Sequence, residues 1–339
     1  MKALIIDEPE KSSIIELGPP VTGPKDVLLQ VKRVGFCGSD LNTFRGLNPL
    51  VSYPRIPGHE VGATVVEIGA NTDIQFRIGD DVLVMPYTAC GKCTSCRSGR
   101  QNCCQFNQTL GVQRDGAMAE FIVAPPEKLL VAPKLSLTEL ALVEPLTIGF
   151  HAVNRGRVTA QDIVAVYGCG AIGLGAIAGA AVRGAQVIAV DIDDQKLAVA
   201  HKCGSTYEIH SARGNLHDRL QEITHGDGPN VIIEAIGLPQ TFQSAVSEVC
   251  FAGRVVYIGY AKAPVEYETK YFVMKELDIF GSRNAVQQDF VDVVHFLETS
   301  NFPVKEVVSH TTDLARAGEL LRAWSEQPQN FTKIQVVFD

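Results

Sequence analysis

At 339 residues the chain is longer than one typical domain, so two domains is the leading expectation. Hydrophobic residues make up 46% and charged residues 20%, which is ordinary globular usage, and 38 acidic against 30 basic residues leave a net charge of −8. That balance argues against nucleic acid or an anionic membrane as the main partner, while leaving room for a locally basic pocket and a small anionic substrate.

The opening run, residues 1–7, is too short in apolar residues for a signal peptide. No stretch approaches 18 uninterrupted apolar residues, so no membrane span is expected. Nine cysteines without a secretory leader point to a reducing compartment, where thiols serve as ligands rather than bridges. A cytoplasmic protein is the expectation.

Residues 1–35 read as β structure with turn punctuation. Positions 3–6 and 14–15 are strand-like, Gly18-Pro19-Pro20 and Gly23-Pro24 interrupt, and 27–34 resumes the pattern. The same texture returns over 62–84, which suggests a small β-rich domain rather than a parallel sheet. Two fragments within it carry donor atoms. Cys37 stands in Gly35-Phe36-Cys37-Gly38-Ser39-Asp40, and His59 and Glu60 stand in Gly58-His59-Glu60-Val61-Gly62. An imidazole and a thiolate are good zinc ligands, and neighbouring glycines let the backbone turn tightly around a metal. Each fragment alone is a weak signal, because a lone His beside Gly is usually a turn residue and a lone Cys in an apolar run is usually core.

The rest of the chain shifts that balance. Cys90, Cys93 and Cys96 are spaced by three, and Cys103 and Cys104 follow. Three of these with a fourth seven or eight residues on can close a tetrahedron of thiolates in one short loop. The Gly, Lys and Ser spacers are turn formers, and the compartment argument disfavours a disulfide framework. Four cysteines fill a zinc shell and leave no position for substrate, so this metal would be structural. Residues 111–130 return to β, and Glu144 then lies in an apolar segment just before Pro145. Glu144 could merely mark a helix start, since Pro suits the first helical position. A zinc site holding Cys37 and His59 also needs a third ligand, and Glu144 is a candidate.

At 163 the texture changes. Residues 163–167 form an apolar run of buried-strand length, followed by Gly168-Cys169-Gly170-Ala171-Ile172-Gly173 and a helical stretch of small residues over 174–181. This is a dinucleotide fingerprint in strand–turn–helix context. Gly168 makes the turn, Gly170 admits the pyrophosphate, and Gly173 lets helix and strand pack closely. Ala171 and Ile172 lie at the phosphate-facing helix start and count with them as cofactor-binding. A second apolar strand over 186–190 ends in Asp191, where a ribose-binding carboxylate belongs. Strand-like runs at 231–235, 254–259 and 277–280 continue the alternation. Their ends carry Gly237, Gly259 and Ser282-Arg283-Asn284, expected at the cofactor cleft. Amphipathic helices at 289–299 and 314–324 and a terminal strand at 333–338 complete the chain.

With these four signatures in order, the whole chain resembles the medium-chain zinc-dependent alcohol dehydrogenases. The Glu144-Pro145 pair resembles the polyol, sugar and sugar-acid branch, where the alcohol dehydrogenases proper carry a cysteine. The resemblance implies an α/β protein. A GroES-like β-rich catalytic domain would cover 1–150, with a structural zinc lobe at 88–106. A doubly wound Rossmann NAD-binding domain would cover 151–285, and 286–339 would return to the catalytic domain. Two zinc ions per chain and NAD are the implied cofactors. The matching catalytic-zinc residues are Cys37, His59, Glu60 and Glu144, with Glu60 either in the first shell or exchanging with water. The structural zinc would take Cys90, Cys93, Cys96 and Cys104, the last chosen over Cys103 by the family's spacing.

The resemblance further implies hydride transfer from the carbon of a zinc-activated alcohol to C4 of the nicotinamide, with Ser39 relaying the hydroxyl proton. A zinc site lowers the pKa of water from 15.7 to about 7, which is worth roughly 12 kcal/mol. Many relatives place a histidine where this chain has Asn42, which cannot titrate near neutrality. The relay must therefore end on water or another group. The expected substrate is a small polyhydroxylated molecule met by Arg283 and Asn284, the alternative being that Arg283 contacts the cofactor or a domain-interface acid; no nucleic-acid or membrane partner is expected, and the family suggests a homodimer or homotetramer. A short diol or threonine dehydrogenase is the alternative within the class. A non-catalytic zinc- and nucleotide-binding protein is the alternative outside it, against which the intact Cys37, Ser39, His59 and Glu144 set argues.

Overall fold

The computed structural model describes residues 1–72 and 76–339. The chain divides into two compact units, one of Met1–Glu144 with Val286–Asp339 and one of Pro145–Ala285. An antiparallel pair opens the first, β1 (Lys2–Glu8) with β2 (Lys11–Glu16). Then come β3 (Val27–Phe36), α1 (Gly38–Phe44), β4 (Glu60–Ile68), β5 (Asp81–Val84) and α2 (Thr94–Arg97), followed by β6 (Phe121–Ala124), β7 (Leu129–Val131) and the start of α3 (Leu137–Arg155), whose residues from Pro145 on belong to the second unit. β3 is the hub of this unit. Its alternate residues Val27, Leu29 and Val31 are fully buried, as a strand with one face on a core requires. It pairs antiparallel with β4 along its length and with β6 at its start.

The second unit runs β8 (Ile163–Tyr167), α4 (Ala171–Ala181), β9 (Gln186–Asp191), α5 (Asp194–Lys202), β10 (Tyr207–His210), α6 (Leu216–Ile223), β11 (Val231–Glu234), α7 (Pro239–Glu248), β12 (Arg254–Tyr257), α8 (Lys270–Met274) and β13 (Asp278–Gly281). Its strands form one parallel sheet in the order β10-β9-β8-β11-β12-β13. Strands buried on both faces need continuous apolar runs, which is why residues 163–167 and 187–190 carry them without alternation. The order is that of a doubly wound fold, with its switch at β8. The small residues of α4 permit close approach. A Cβ on Gly173 would stand 1.7 Å from the carbonyl oxygen of Gly168.

The chain then returns to the first unit through α9 (Gln287–Thr299), α10 (Val304–Val307), β14 (Val308–Asp313), α11 (Ala317–Glu326) and β15 (Lys333–Val337). β15 lies between β14 and β3 and extends the sheet to the order β14-β15-β3-β4-β5-β7. The α/β fold class and both architectures agree with the sequence reading. Pro145 differs: it lies inside α3 rather than at its start, so Glu144 is not a helix-start residue. A proline there removes one helical hydrogen bond, a cost that packing of the buried residues 140–143 and Leu146 offsets. Among the described residues no helix is long and apolar enough to cross a membrane.

Candidate active site

The ends of β3 and β4 bring the predicted donors together. Gly35 of β3 pairs with Glu60, the first residue of β4, so Cys37 just past one strand meets His59 and Glu60 at the start of the other. The ligand atoms of Cys37, His59 and Glu60 all lie within 4.8 Å of one another. Gly35 is needed for this approach, because a Cβ there would stand 1.8 Å from Glu60 Oε2. Asp40, fully buried in the first turn of α1, ties the two ligand loops. Its carboxylate accepts the amide of Cys37 at 2.8 Å and that of Gly58 at 3.2 Å. Burial pushes the Asp40 carboxyl up, with the charge of His59 opposing. Burial also works against a charged His59, but its hydrogen bond with Cys37 and the charges of Cys37, Asp40 and Glu144 hold the imidazole well above its usual range. A metal at this centre would compete directly with that proton.

Glu60 has a partner that the sequence reading missed. Lys333 of β15 donates to both carboxylate oxygens, at 2.5 and 2.7 Å, and to the carbonyl of Phe36 at 3.1 Å. The pair is almost wholly buried, Lys333 at 4% and Glu60 at 0% exposure. The available signal was a lysine opening a mostly apolar terminal strand. Glu144 is buried too and lies outside the mutually close trio. The Tyr87 hydroxyl, also missed, donates to its Oε1. Burial raises the Glu144 carboxyl, and the nearby His59 charge opposes.

Two buried atoms at this centre, Ser39 Oγ and His59 Nδ1, have no hydrogen-bond partner among the described residues. Buried polar groups are nearly always paired, so this pattern marks a place prepared for something else. A sulfur, an imidazole and carboxylates fit a zinc ion that keeps one position open for substrate. Asn42 is half-buried on α1, three residues past Ser39.

The second donor cluster is of another kind. The sulfurs of Cys90, Cys93, Cys96 and Cys104 lie within 4.8 Å of one another, around the short helix α2. Cys103 is outside, with Arg100 Nη2 3.5 Å from its sulfur. The amides of Lys92 and Cys93 donate to Cys90 Sγ, and that of Cys90 to Cys104 Sγ. A hydroxyl from Ser95 leads in drawing the Cys93 thiol down to about 5, whereas burial pushes Cys96 up to about 12. Four sulfurs within reach of one point fit a closed tetrahedral zinc shell.

In the parallel-sheet unit, the predicted cofactor residues line up on the C-terminal edge. Gly168 turns with φ +94° after β8, and a Cβ on Gly170 would meet nothing within 4 Å, which leaves the open cradle a pyrophosphate needs. Ala171 and Ile172 open α4. Asp191 ends β9, and its two oxygens accept the amides of Cys169 and Ile192, each at 2.7 Å. Gly237 and Gly259 follow β11 and β12. Ser282 follows β13, and its Oγ is buried without a partner among the described residues. Arg283 and Asn284 come next, Asn284 with φ +53°.

A β-rich unit with one closed thiol cluster and one open mixed centre, joined in sequence to a doubly wound unit with a dinucleotide fingerprint, defines a zinc-dependent nicotinamide dehydrogenase. Residues 23–134 match the alcohol dehydrogenase GroES-like domain, and residues 171–299 match the zinc-binding dehydrogenase domain. An uncharacterised zinc-type alcohol dehydrogenase-like protein of Haemophilus influenzae is 35% identical, over 100% of this chain and 99% of its own. The L-galactonate-5-dehydrogenase of Escherichia coli is 31% identical over 94% of each chain. A crystal structure described as a short chain alcohol dehydrogenase, rspB, of E. coli in complex with NADH superposes with a TM-score of 0.92. It is 30% identical and covers 100% of this chain and 99% of its own. The chain belongs to the medium-chain zinc-dependent alcohol dehydrogenases, in their polyol and sugar dehydrogenase branch.

Proposed function

We propose that the chain oxidises a secondary alcohol of a sugar acid, sugar or polyol and passes the hydride to NAD. The observation that carries this reading is the pair of partnerless buried atoms, Ser39 Oγ and His59 Nδ1, beside the Cys37, His59 and Glu60 trio. Zinc held by Cys37, His59 and a carboxylate of Glu60 or Glu144 would supply a Lewis acid that makes a substrate hydroxyl acidic near neutral pH. Asp40 holds the Cys37 and His59 loops in register, and Tyr87 fixes one oxygen of Glu144. Lys333 neutralises Glu60, so the centre does not carry two free carboxylate charges. The Ser39 hydroxyl accepts the substrate proton at Oγ and hands its own onward. Because Asn42 has no titratable group, that proton passes to water or to another group.

The fingerprint Gly168–Gly173 takes the pyrophosphate, and Asp191 accepts the ribose hydroxyls of NAD and repels a 2′-phosphate. The closed cluster of Cys90, Cys93, Cys96 and Cys104 takes the second zinc and has no part in the chemistry. The name of the E. coli relative, a dehydrogenase of a hexonic acid, supports a polyhydroxylated acid, with Arg283 and Asn284 meeting its polar groups. Assembly as a homodimer or homotetramer belongs to the same reading.

The test is NADH formation across a panel of hexonic acids, pentitols, hexitols, short diols and threonine. Turnover is expected with polyhydroxylated substrates and NAD, and far less with NADP. Turnover only on short diols or threonine would replace the substrate class. NADH binding without turnover on any alcohol would leave a non-catalytic binding protein.

A further inference from the structure

Glu234 is fully buried at the C-terminal end of β11, in the middle of the parallel sheet, and the chemistry proposed above makes no use of it. Its Oε1 accepts three hydrogen bonds, from the amides of Ile236 at 2.9 Å and Gly237 at 2.8 Å and from the hydroxyl of Thr241 at 2.7 Å. Its main-chain carbonyl accepts the amides of Ile258 at 2.9 Å and Gly259 at 3.2 Å. One residue therefore holds both the loop after β11 and the loop after β12. Its second oxygen, Oε2, is buried and has no hydrogen-bond partner among the described residues.

The packing around this carboxylate leaves no slack. A Cβ on Gly259 would stand 2.6 Å from the amide nitrogen of Gly237 and 2.7 Å from Glu234 Oε2. A Cβ on Gly168, the first glycine of the fingerprint, would stand 2.7 Å from Ile236 Cγ1. Three loops of the same sheet edge thus meet around Glu234. Outward from it they present apolar groups, with Ile236, Leu238 and Tyr260 exposed.

The sheet order says which part of a dinucleotide these loops would meet. The acid at the end of β9 takes the adenosine ribose, and the pyrophosphate sits at the start of α4. β9 lies on one side of β8, whereas β11 and β12 lie on the other. The half of the cofactor beyond the pyrophosphate therefore runs over the loops after β11 and β12. We infer that Glu234 is a positioning residue for the nicotinamide half of NAD, holding residues 235–238 and 258–260 in one fixed arrangement before the cofactor arrives. A carboxylate that accepts several donors makes strong hydrogen bonds, and loops ordered in advance lose less entropy on binding. The inference rests on the NAD reading above.

The experiment measures binding of NADH and of AMP to the zinc-loaded full chain by calorimetry, in wild type and in Glu234→Gln, together with thermal stability. Wild type that fails to bind NADH overturns the cofactor reading and this inference with it. With wild-type binding in place, Glu234→Gln should raise the NADH Kd about 10–100-fold and leave the AMP Kd within about twofold. A purely structural role would weaken both ligands alike. An equal loss on both, or no loss of NADH affinity, overturns the inference. If Glu234→Gln does not fold, Thr241→Val decides, since it removes one of the three donors and keeps the shape. A loss of about 3–10-fold confined to NADH supports the inference, and no split between NADH and AMP overturns it.

Discussion

The thiol lobe and the mixed centre are both built to receive a metal, yet they are held in opposite ways. In the lobe all four sulfurs come from residues 90–104, and Cys93, Cys96 and Cys104 form an apolar cluster of their own with Cys90 against it. The groups that reach these sulfurs are backbone amides and the Ser95 hydroxyl. At the mixed centre the ligands come from separate strands, and the flanking groups are ionisable and buried: Asp40, Glu144 and Lys333. Partnerless polar atoms stand at the centre, whereas no sulfur of the lobe is without a neighbouring donor or thiol. The closed cluster stands in for a hydrophobic core. The mixed centre instead gathers buried charges and keeps two polar atoms unpaired among the described residues.

The sharpest way to break that contrast is Cys104→Ser. Apparent structural zinc binding of about 10–16 kcal/mol rivals a whole domain's stability of about 5–15 kcal/mol. Elemental analysis should show one zinc fewer, and thermal unfolding a large fall in Tm. An unchanged Tm would mean that the lobe stands without its metal.

Next in size is Lys333→Met, which removes the ammonium that holds both oxygens of buried Glu60. Breaking one side of a buried pair costs about 3–5 kcal/mol, to be read from urea unfolding, with the lobe's zinc retained. The pH dependence has a definite sign. Burial lowers the Lys333 pKa, but the charges of Glu60 and Cys37 more than offset this and hold it above the ordinary lysine value. Lysine's side of the pair is therefore fully charged from neutral pH up to about pH 10.4, the unfolded lysine value, and its contribution is lost as pH rises through the folded one. From neutral pH upward, the stability gap between wild type and Lys333→Met should shrink only in that alkaline range. A gap that closes near neutrality would assign the effect to another group.

Ser39→Ala addresses the open side of the comparison. Turnover should fall about 10²–10⁴-fold with zinc content and Tm unchanged, while Asn42→Ala stays near wild type. Equal small losses in both would show that water takes the proton directly. The smallest effect expected is that of Cys103→Ser, within about 0.5 kcal/mol of wild type, because its sulfur stands outside the cluster. A collapse of the lobe in that variant would reverse its ligand register.

The same contrast explains what could be read from the sequence. The lobe was legible because its ligands are neighbours along the chain. Spacing alone left Cys103 and Cys104 open, and the family resemblance selected the one that the structure places in the cluster. The glycine fingerprint was legible for the same local reason, being one strand, one turn and one helix start. The supports of the mixed centre were not. Glu60 and Lys333 are 273 positions apart, and their pairing depends on β15 lying beside β3. Asp40 stood in plain view beside Cys37, but its role depends on the amide of Gly58, which only the fold brings within reach. Pro145 left a helix start open as an alternative because its tolerance inside α3 comes from packing, which local propensity does not contain.

The position of β15 also sets an order of events in synthesis. Residues 145–285 are contiguous and can complete their parallel sheet as soon as they leave the ribosome. The unit begun first must wait, because its sheet has a gap between β14 and β3 that only residues 333–337 fill. Until Lys333 arrives, Glu60 lacks the ammonium that contacts both its oxygens, and burying it without that partner is unfavourable. A nascent chain that stalls short of residue 333 would thus carry a finished nucleotide fold and an unfinished metal centre, and would be exposed to chaperones and proteases at its N-terminal half.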